Sequence, residues 1–205
     1  MRVLNVVSVL SAHEGGGNAE RTVQLSRALA EGGMTCTVLT LDIGDPKARA
    51  EQLGGAQVVV MPCLNGRFQI PWPVWHLVRE LVRQVDVIHM IGYWSFLGVM
   101  VQAVAWKEGV PYVVCPAGAL PLFGRSRWFK RAFNWIFGRQ LIGRASGWIA
   151  VTRAEFPDFA AYGVAPDRVV VIPNGVVESD LESDEAVGIQ WARGIPLGPY
   201  VLFMG

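Results

Sequence analysis

Short, nearly unbroken apolar runs alternate along the chain with segments whose apolar positions recur every three or four residues. The unbroken runs are Arg2 to Leu10, Met34 to Leu41, Ala56 to Met61, Val87 to Ile91, Tyr112 to Cys115, Gly147 to Val151 and Val169 to Ile172. Each has strand length, and a strand that is apolar at every position is buried on both faces. Ala19 to Glu31 has helical periodicity. Ala19, Thr22, Val23, Ser26, Leu29 and Ala30 share one face, and Glu20, Arg21, Gln24, Arg27 and Glu31 the other. Gly32-Gly33 ends that helix. Pro46 to Leu53 reads as a shorter helix with proline in its first turn, and Val74 to Val85 as a helix with Leu77, Val78, Leu81, Val82 and Val85 on one side. Strand, helix, strand, repeated about six times, predicts a doubly wound α/β domain: a parallel sheet with helices on both faces.

The stretch from Val87 to Trp106 runs 20 residues without a formal charge, the length of a membrane span. His89, Gly92, Tyr93, Ser95 and Gln102 interrupt it, so a buried strand, a turn and a helix are expected instead. Composition agrees with a covered sheet. Of 205 residues, 52% are hydrophobic and 17% charged, where a charged share of about 25% is usual. Eighteen Lys and Arg against 17 Asp and Glu leave a net charge of +1, which makes no electrostatic case for a nucleic-acid partner. Cys36, Cys63 and Cys115 stand singly in apolar surroundings, with no CxxC pair. That pattern suggests neither a zinc site nor a disulfide framework, and fits reduced thiols in a cytoplasmic protein. After Pro173 the composition changes. Glu178 to Glu185 is acidic, and Tyr200 to Met204 reads as one more strand, ending in Gly205. The expected organisation is therefore a domain over residues 1–176, a linker over 177–199, and over 200–205 the opening strand of a second α/β domain.

In a parallel α/β sheet, ligands gather at the carboxyl ends of the strands, and five loops there carry polar or glycine residues. The first is Ser11-Ala12-His13-Glu14-Gly15-Gly16-Gly17-Asn18, at a helix start. Its three glycines let the backbone approach a phosphate or a sugar hydroxyl. It is neither a GxGxxG fingerprint nor a P-loop, since Glu20 stands at the last glycine position and no Gly-Lys-Ser/Thr follows. A plain connector would be the alternative. The second is Asp86-Val87-Ile88-His89-Met90-Ile91-Gly92-Tyr93-Trp94. His89 is either a catalytic group or a hydrogen-bonded core histidine, and Tyr93 and Trp94 either stack on a sugar ring or pack. The other three are Cys115 to Gly124, Thr152-Arg153-Ala154-Glu155, and Ile172-Pro173-Asn174-Gly175-Val176.

Taken in order, these segments resemble the group 1 retaining glycosyltransferases of GT-B fold. Gly16-Gly17-Asn18-Ala19-Glu20-Arg21 resembles their Gly-Gly-Ala-Glu-Arg loop, and Asp86-Val87-Ile88-His89 their Asp-Val-Ile-His strand. Pro116-Ala117-Gly118-Ala119-Leu120 is similar to their Pro-His-Gly-Met-Leu loop, and Thr152-Arg153-Ala154-Glu155 to their Thr/Ser-x-x-Glu. Ile172-Pro173-Asn174-Gly175-Val176 matches their Ile-Pro-Asn-Gly-Val, and Val201 to Gly205 resembles the first strand of their second domain. The resemblance implies one Rossmann-like half of a two-domain enzyme, the half that mainly holds the acceptor. It implies a nucleotide-sugar donor, a carbohydrate or lipid-linked acceptor, transfer with retention, and no cofactor or metal. It implies substrate binding by Gly15, Gly16, Gly17, Asn18, Tyr93, Trp94, Gly118, Arg153, Glu155 and Asn174, with His89 as the catalytic candidate. The donor-side Glu-x7-Glu is missing from these 205 residues, so the chain alone is expected to transfer no sugar.

Two positions depart from the family pattern. Ala117 stands where many relatives carry histidine in the Pro-His-Gly loop, and Ile91 where some carry a second histidine. Alanine can neither bond a hydroxyl nor move a proton. Two other functions share the fold: a non-catalytic sugar- or nucleotide-binding module, and a sugar-nucleotide epimerase. Finally, Arg125 to Arg144 holds six basic residues (Arg125, Arg127, Lys130, Arg131, Arg139, Arg144), and no Asp or Glu occurs from Gly109 to Ala154. As a helix it would set Arg127, Lys130, Arg131 and Asn134 in a polar stripe beside Trp128, Phe129, Phe133, Trp135, Ile136 and Phe137. Such a helix suits peripheral contact with an anionic membrane at its cytoplasmic face. The alternative is that its aromatics pack on the sheet.

Overall fold

A computed structural model describes residues 1–122 and 127–175, without the side chain of Arg127. The linker expected over 177–199 and the strand expected over 200–205 lie outside the described residues. Seven strands form one parallel sheet in the order β3-β2-β1-β6-β7-β8-β9. They are β1 (Arg2–Val6), β2 (Thr35–Leu41), β3 (Gln57–Met61), β6 (Val87–Ile91), β7 (Tyr112–Cys115), β8 (Gly147–Ala150) and β9 (Val169–Val171). This is the Rossmann-like α/β architecture expected from the apolar runs.

The runs are continuous because each strand feeds two cores. On one face, Val3, Val7, Cys36, Val38 and Ile91 pack with Val23 of helix α1 (Gly16–Glu31) and with Leu53. On the other, Leu4, Val6, Leu39, Ile88 and Met90 pack under α2 (Trp75–Arg83) and α3 (Phe96–Glu108), through Val78, Val82, Leu97 and Val101. Leu4, Leu39 and Ile88 are wholly buried, and each such side chain contributes ~2 kcal/mol on leaving water. The uncharged stretch from Val87 to Trp106 resolves into β6, a turn at Gly92 (φ +88°) and α3. Ser95 caps α3 by accepting from the Gly98 N–H at 3.0 Å. Among the described residues, no helix is long and apolar enough to cross a membrane.

Three local features differ from the sequence expectation. The helix expected over Pro46 to Leu53 is a 3-10 helix over Lys47–Leu53, ended by Gly54 in the left-handed region. An antiparallel hairpin joins β4 (Cys63–Asn65) to β5 (Ile70–Pro71) across a turn in which the Asn65 side chain accepts from the Phe68 N–H. Its Asn65-Gly66 pair is a hairpin signal, but no alternating strands flank it. The basic aromatic segment forms α4 (Arg127–Phe133), a wide π turn (Asn134–Gly138) and α5 (Arg139–Gly143). The wide turn shifts the helical phase. Asn134 leaves the polar stripe and accepts a hydrogen bond from the Tyr93 hydroxyl at 2.5 Å. A Cβ at Gly138 would collide with that hydroxyl, so glycine is required there.

Candidate functional site

The strand order reverses between β1 and β6, and the crevice beyond their carboxyl ends is where such folds hold ligands. Helix α1 starts there. Its N-cap is Gly15, no side chain caps it, and its first turn holds no acidic residue. The first-turn N–H groups, which have no intrahelical partner, belong to Gly16, Gly17 and Asn18. Gly15 is fixed by packing, since a Cβ on it would lie 2.6 Å from the Ser11 carbonyl and 2.7 Å from that of Val9. Gly16 has φ +54°, and a Cβ on Gly17 would meet nothing within 4 Å. Three glycines thus do three jobs: close packing, a left-handed turn and an open approach to the helix end.

Two clefts flank this helix start and share Asn18. The first, of ≈ 480 Å³, opens at the switch point. Ser8 and Ser95, whose hydroxyls lie 2.6 Å apart, line it together with Gly15, Tyr93 and Trp94. The hairpin contributes Arg67, Phe68 and Gln69 to one wall, and α4 contributes Phe129, Lys130 and Phe133 to another. The hairpin and helix touch through Phe68 and Phe129, with ring centroids 5.8 Å apart. Lys130 Nζ lies 5.3 Å from the centre of the Trp94 ring, within cation–π range.

The second cleft, of ≈ 320 Å³, is lined by Gly17, Asn18, Arg21, Gly118, Glu155 and Asn174, with Ala117 among its other residues. Arg21 is 5% exposed. It donates to Asn174 Oδ1 at 2.8 Å and to the Ile172 carbonyl at 2.9 Å, and its Nε has no partner. None of the ion pairs among the described residues includes it. A buried cation held by neutral groups beside an uncapped helix start is an anion-attracting arrangement. Glu155 is committed to the backbone. Its carboxylate accepts from the N–H groups of Gly118 (2.8 Å), Val151 (2.8 Å) and Thr152 (3.1 Å), completing a capping box with Thr152. It therefore clamps the Pro116–Ala119 loop, in which Ala117 (φ +51°) and Gly118 (φ +75°) are both left-handed, to the end of β8.

A family model described as Glycosyltransferase Family 4 matches residues 15–180, a span that starts at this helix and takes in the second cleft and most of the first. The chain belongs to that family.

Sequence comparison with curated proteins finds no match. Among solved structures, the chain is similar to HepE of Anabaena in complex with UDP-glucose, with a TM-score of 0.65 and 19% identity over 94% of this chain and 50% of that one. It is similar to a glycosyltransferase from Rickettsia africae, with a TM-score of 0.60 and 16% identity over 94% of this chain and 48% of that one. It is also similar to the UDP-GlcNAc 2-epimerase of Methanocaldococcus jannaschii, with a TM-score of 0.56 and 13% identity over 96% of this chain and 54% of that one. These likenesses establish the fold, and the family match establishes a GT-B glycosyltransferase domain. The chain spans about half the length of each of these structures.

Within this glycosyltransferase domain, the residues singled out from sequence are distributed unevenly. Gly15, Asn18, Tyr93 and Trp94 line the first cleft, and Gly17, Asn18, Gly118, Glu155 and Asn174 the second. Gly16 sits between them in the first turn of α1. Arg153 is exposed and lines neither cleft. Tyr93 is 2% exposed, with Trp94, Phe133 and Tyr162 set edge-on to its ring. Burial pushes its hydroxyl pKa far up. Its ring is packed, and Trp94 is the more open of the pair. His89 is 5% exposed on the α1 side of β6 and lines neither cleft. Its register partner is Asn5, whose amide donates to Ser26 and whose Oδ1 lies 3.3 Å from His89 Nδ1. Nδ1 therefore carries the proton, and Nε2 has no partner. Burial, with the Arg21 charge nearby, lowers its pKa to about 4. This is a neutral core histidine in a buried polar seam. Ala117 lines the second cleft and offers no polar side chain, while Ile91 lines the first. The cleft residues that sequence reasoning missed include Arg67, Phe68, Gln69, Arg21, the Ser8–Ser95 pair, and Phe129 and Lys130 of α4. Only the Asn65-Gly66 turn could have signalled the first three.

Proposed function

We propose that this chain is the acceptor-side half of a group 1, retaining glycosyltransferase. The full-length protein would move a sugar from a nucleotide-sugar, its co-substrate, to a carbohydrate or lipid-linked acceptor in the cytoplasm, without another cofactor. The observation that carries the reading is the uncapped start of α1, flanked by two clefts, with the Arg21 cation buried beside it. On this reading the helix end faces the donor's diphosphate across an interdomain cleft, and the switch-point cleft holds the acceptor. Transfer needs both substrates aligned, and alignment supplies ~7–11 kcal/mol of barrier lowering. One wall of a cleft cannot provide that, so residues 1–205 alone should release no nucleoside diphosphate from any nucleotide-sugar, and the full-length gene product should. Gly17→Val in the full-length protein should lower kcat/KM at least tenfold while leaving the melting temperature unchanged. Its Cβ meets no atom of the fold, yet its bulk would cover the helix-start N–H groups. Unchanged kinetics in that variant would reduce the loop to a connector.

We also propose peripheral contact with an anionic membrane. Trp128 and Trp135 are each 81% exposed, and Phe129 and Ile136 are exposed beside them. Lys130 and Arg131 share this segment, while Arg125 lies outside the described residues. Phe133, by contrast, is buried among the rings of Tyr93, Trp94 and Phe96. A basic residue at an anionic surface contributes ~1 kcal/mol. At low salt the chain should co-sediment with anionic vesicles and not with neutral ones, and Lys130→Glu with Arg131→Glu should abolish this. Equal, poor binding to both vesicle types would make the segment purely structural.

A further inference from the structure

Among the described residues, two buried side-chain atoms lack a hydrogen-bond partner: Arg21 Nε and His89 Nε2. Each belongs to a side chain only 5% exposed. A buried polar atom left unpaired is costly, and folds seldom tolerate one. These two are complementary. A guanidinium N–H can only donate. His89 Nε2 can only accept, because Nδ1 carries the proton that faces Asn5 Oδ1. Both side chains lie on the α1 side of the sheet, and the Arg21 charge acts on the imidazole. The other titratable groups around Arg21 do not take the role. Cys115, the register partner of Ile91, lies on the same face. Arg21 approaches its thiol, but burial pushes that thiol up and keeps it neutral, and sulfur is a weak acceptor. Glu155 spends its carboxylate on three backbone N–H groups.

We propose that His89 is a positioning residue for Arg21: its Nε2 accepts from the Arg21 Nε–H, directly or across one buried water, and so fixes the cation that the second cleft presents. The buried seam then becomes one directed chain. Arg21 donates to His89, His89 to Asn5, and Asn5 to the Ser26 hydroxyl. Arg21 and Ser26 both stand on α1, so the chain leaves that helix, crosses β6 and β1, and returns to it. It holds the guanidinium from behind, while the two terminal nitrogens bond Asn174 Oδ1 and the Ile172 carbonyl. A planar fork fixed at all three nitrogens is pre-organised and loses little freedom on meeting an anion. His89 thus bears on the second cleft without lining it. The anion in that cleft rests on the transferase reading, whereas the pairing stands on the seam's own geometry.

The test compares His89→Asn with His89→Gln in the 205-residue chain, well below the melting midpoint of each variant. Asparagine keeps a donor for Asn5 but is too short to reach Arg21, whereas glutamine keeps a donor and carries an oxygen further out. Side-chain NMR of arginine-labelled protein reads the pairing directly. The Arg21 Nε–H should be protected from solvent exchange in the parent and in His89→Gln, and should exchange about tenfold faster in His89→Asn. Calorimetric titration with inorganic pyrophosphate reads the consequence. His89→Asn should weaken binding about tenfold, the scale of one hydrogen bond to a charged group, and His89→Gln should restore most of it. Arg21→Lys keeps the charge but has no Nε–H, so adding His89→Asn to Arg21→Lys should weaken binding no further. A histidine that merely fills the core would lower affinity by the same factor in both backgrounds, and that result overturns the proposal. So does unchanged exchange of the Arg21 Nε–H in His89→Asn. If the parent binds no pyrophosphate, the anion reading of the cleft falls, and the exchange measurement still decides the pairing.

Discussion

Glu155→Ala is expected to cost the domain about 3 kcal/mol, which makes it the most damaging single change at either cleft. The carboxylate is 7% exposed and holds three backbone N–H groups, those of Gly118, Val151 and Thr152. A buried donor that loses its acceptor costs ~1–3 kcal/mol, and the open side of the second cleft lets water recover part of that for Gly118. Glu155→Gln is the sharper probe. Its amide oxygen can still accept from Val151 and Thr152, but its NH₂ would face the Gly118 N–H, donor against donor. About 1–2 kcal/mol should be lost, and the loss should be local. Guanidinium denaturation followed by tryptophan fluorescence reads the global cost, and amide exchange at Gly118 reads the local one. If Glu155→Ala unfolds at the parent midpoint, the clamp is not holding the loop. If exchange at Gly118 is unchanged in Glu155→Gln, the Oε2 contact is not formed in solution.

That clamp also shows where reading the sequence stops. The fold was legible because each strand feeds cores on both faces, and such strands declare themselves as unbroken apolar runs. Six of the seven sheet strands lie within two residues of their expected bounds. β1 is the exception: it ends at Val6, although Val7 and Ser8 still bond the β2 backbone at Leu39 and Leu41, and the chain then turns toward α1. The glycine loop was legible too, since three consecutive glycines at a strand end have few other uses. Roles were harder, because a residue type does not say which way it points. Glu155 and Tyr93 stand at strand ends like ligand-binding residues, yet one bonds backbone and the other is packed among rings. His89 looks like a base until its strand phase is known: position 89 falls on the face that α1 covers. The first cleft needed tertiary information altogether, because two of its walls come from a hairpin and a helix more than 50 residues apart. The π turn in that helix follows no simple periodicity, and it redirected Asn134 from the solvent stripe to Tyr93.

His89 should make the domain's stability fall as acidity rises through a window that its carboxylates leave almost flat. The folded chain keeps His89 neutral down to about pH 4, because burial disfavours the imidazolium and the Arg21 charge adds to that. The unfolded chain takes up the proton near pH 6.5. Between those values the unfolded state binds more protons, so stability drops as pH falls from about 6.5 to about 4, by about 3 kcal/mol in all. Roughly 2 kcal/mol of this should be gone by pH 5. The paired carboxylates act lower. Arg49 holds Glu20 below its ordinary value, the Arg2 backbone N–H and side chain do so for Asp86, and Arg83 with Arg79 for Glu108. What they contribute is present above their unfolded values of 4.5 and 3.8 and is lost only as pH falls beneath them. Denaturation midpoints at pH 7.5, 6.5, 5.7 and 5.0 therefore isolate the histidine. His89→Gln keeps a donor for Asn5 Oδ1 and removes the titration, so its stability should be nearly constant over that range even if it is lower throughout. A parent protein equally stable at pH 7.5 and 5.0 would mean that His89 is accessible and protonates freely in the fold. That result would return it to consideration as a group that handles protons at the site.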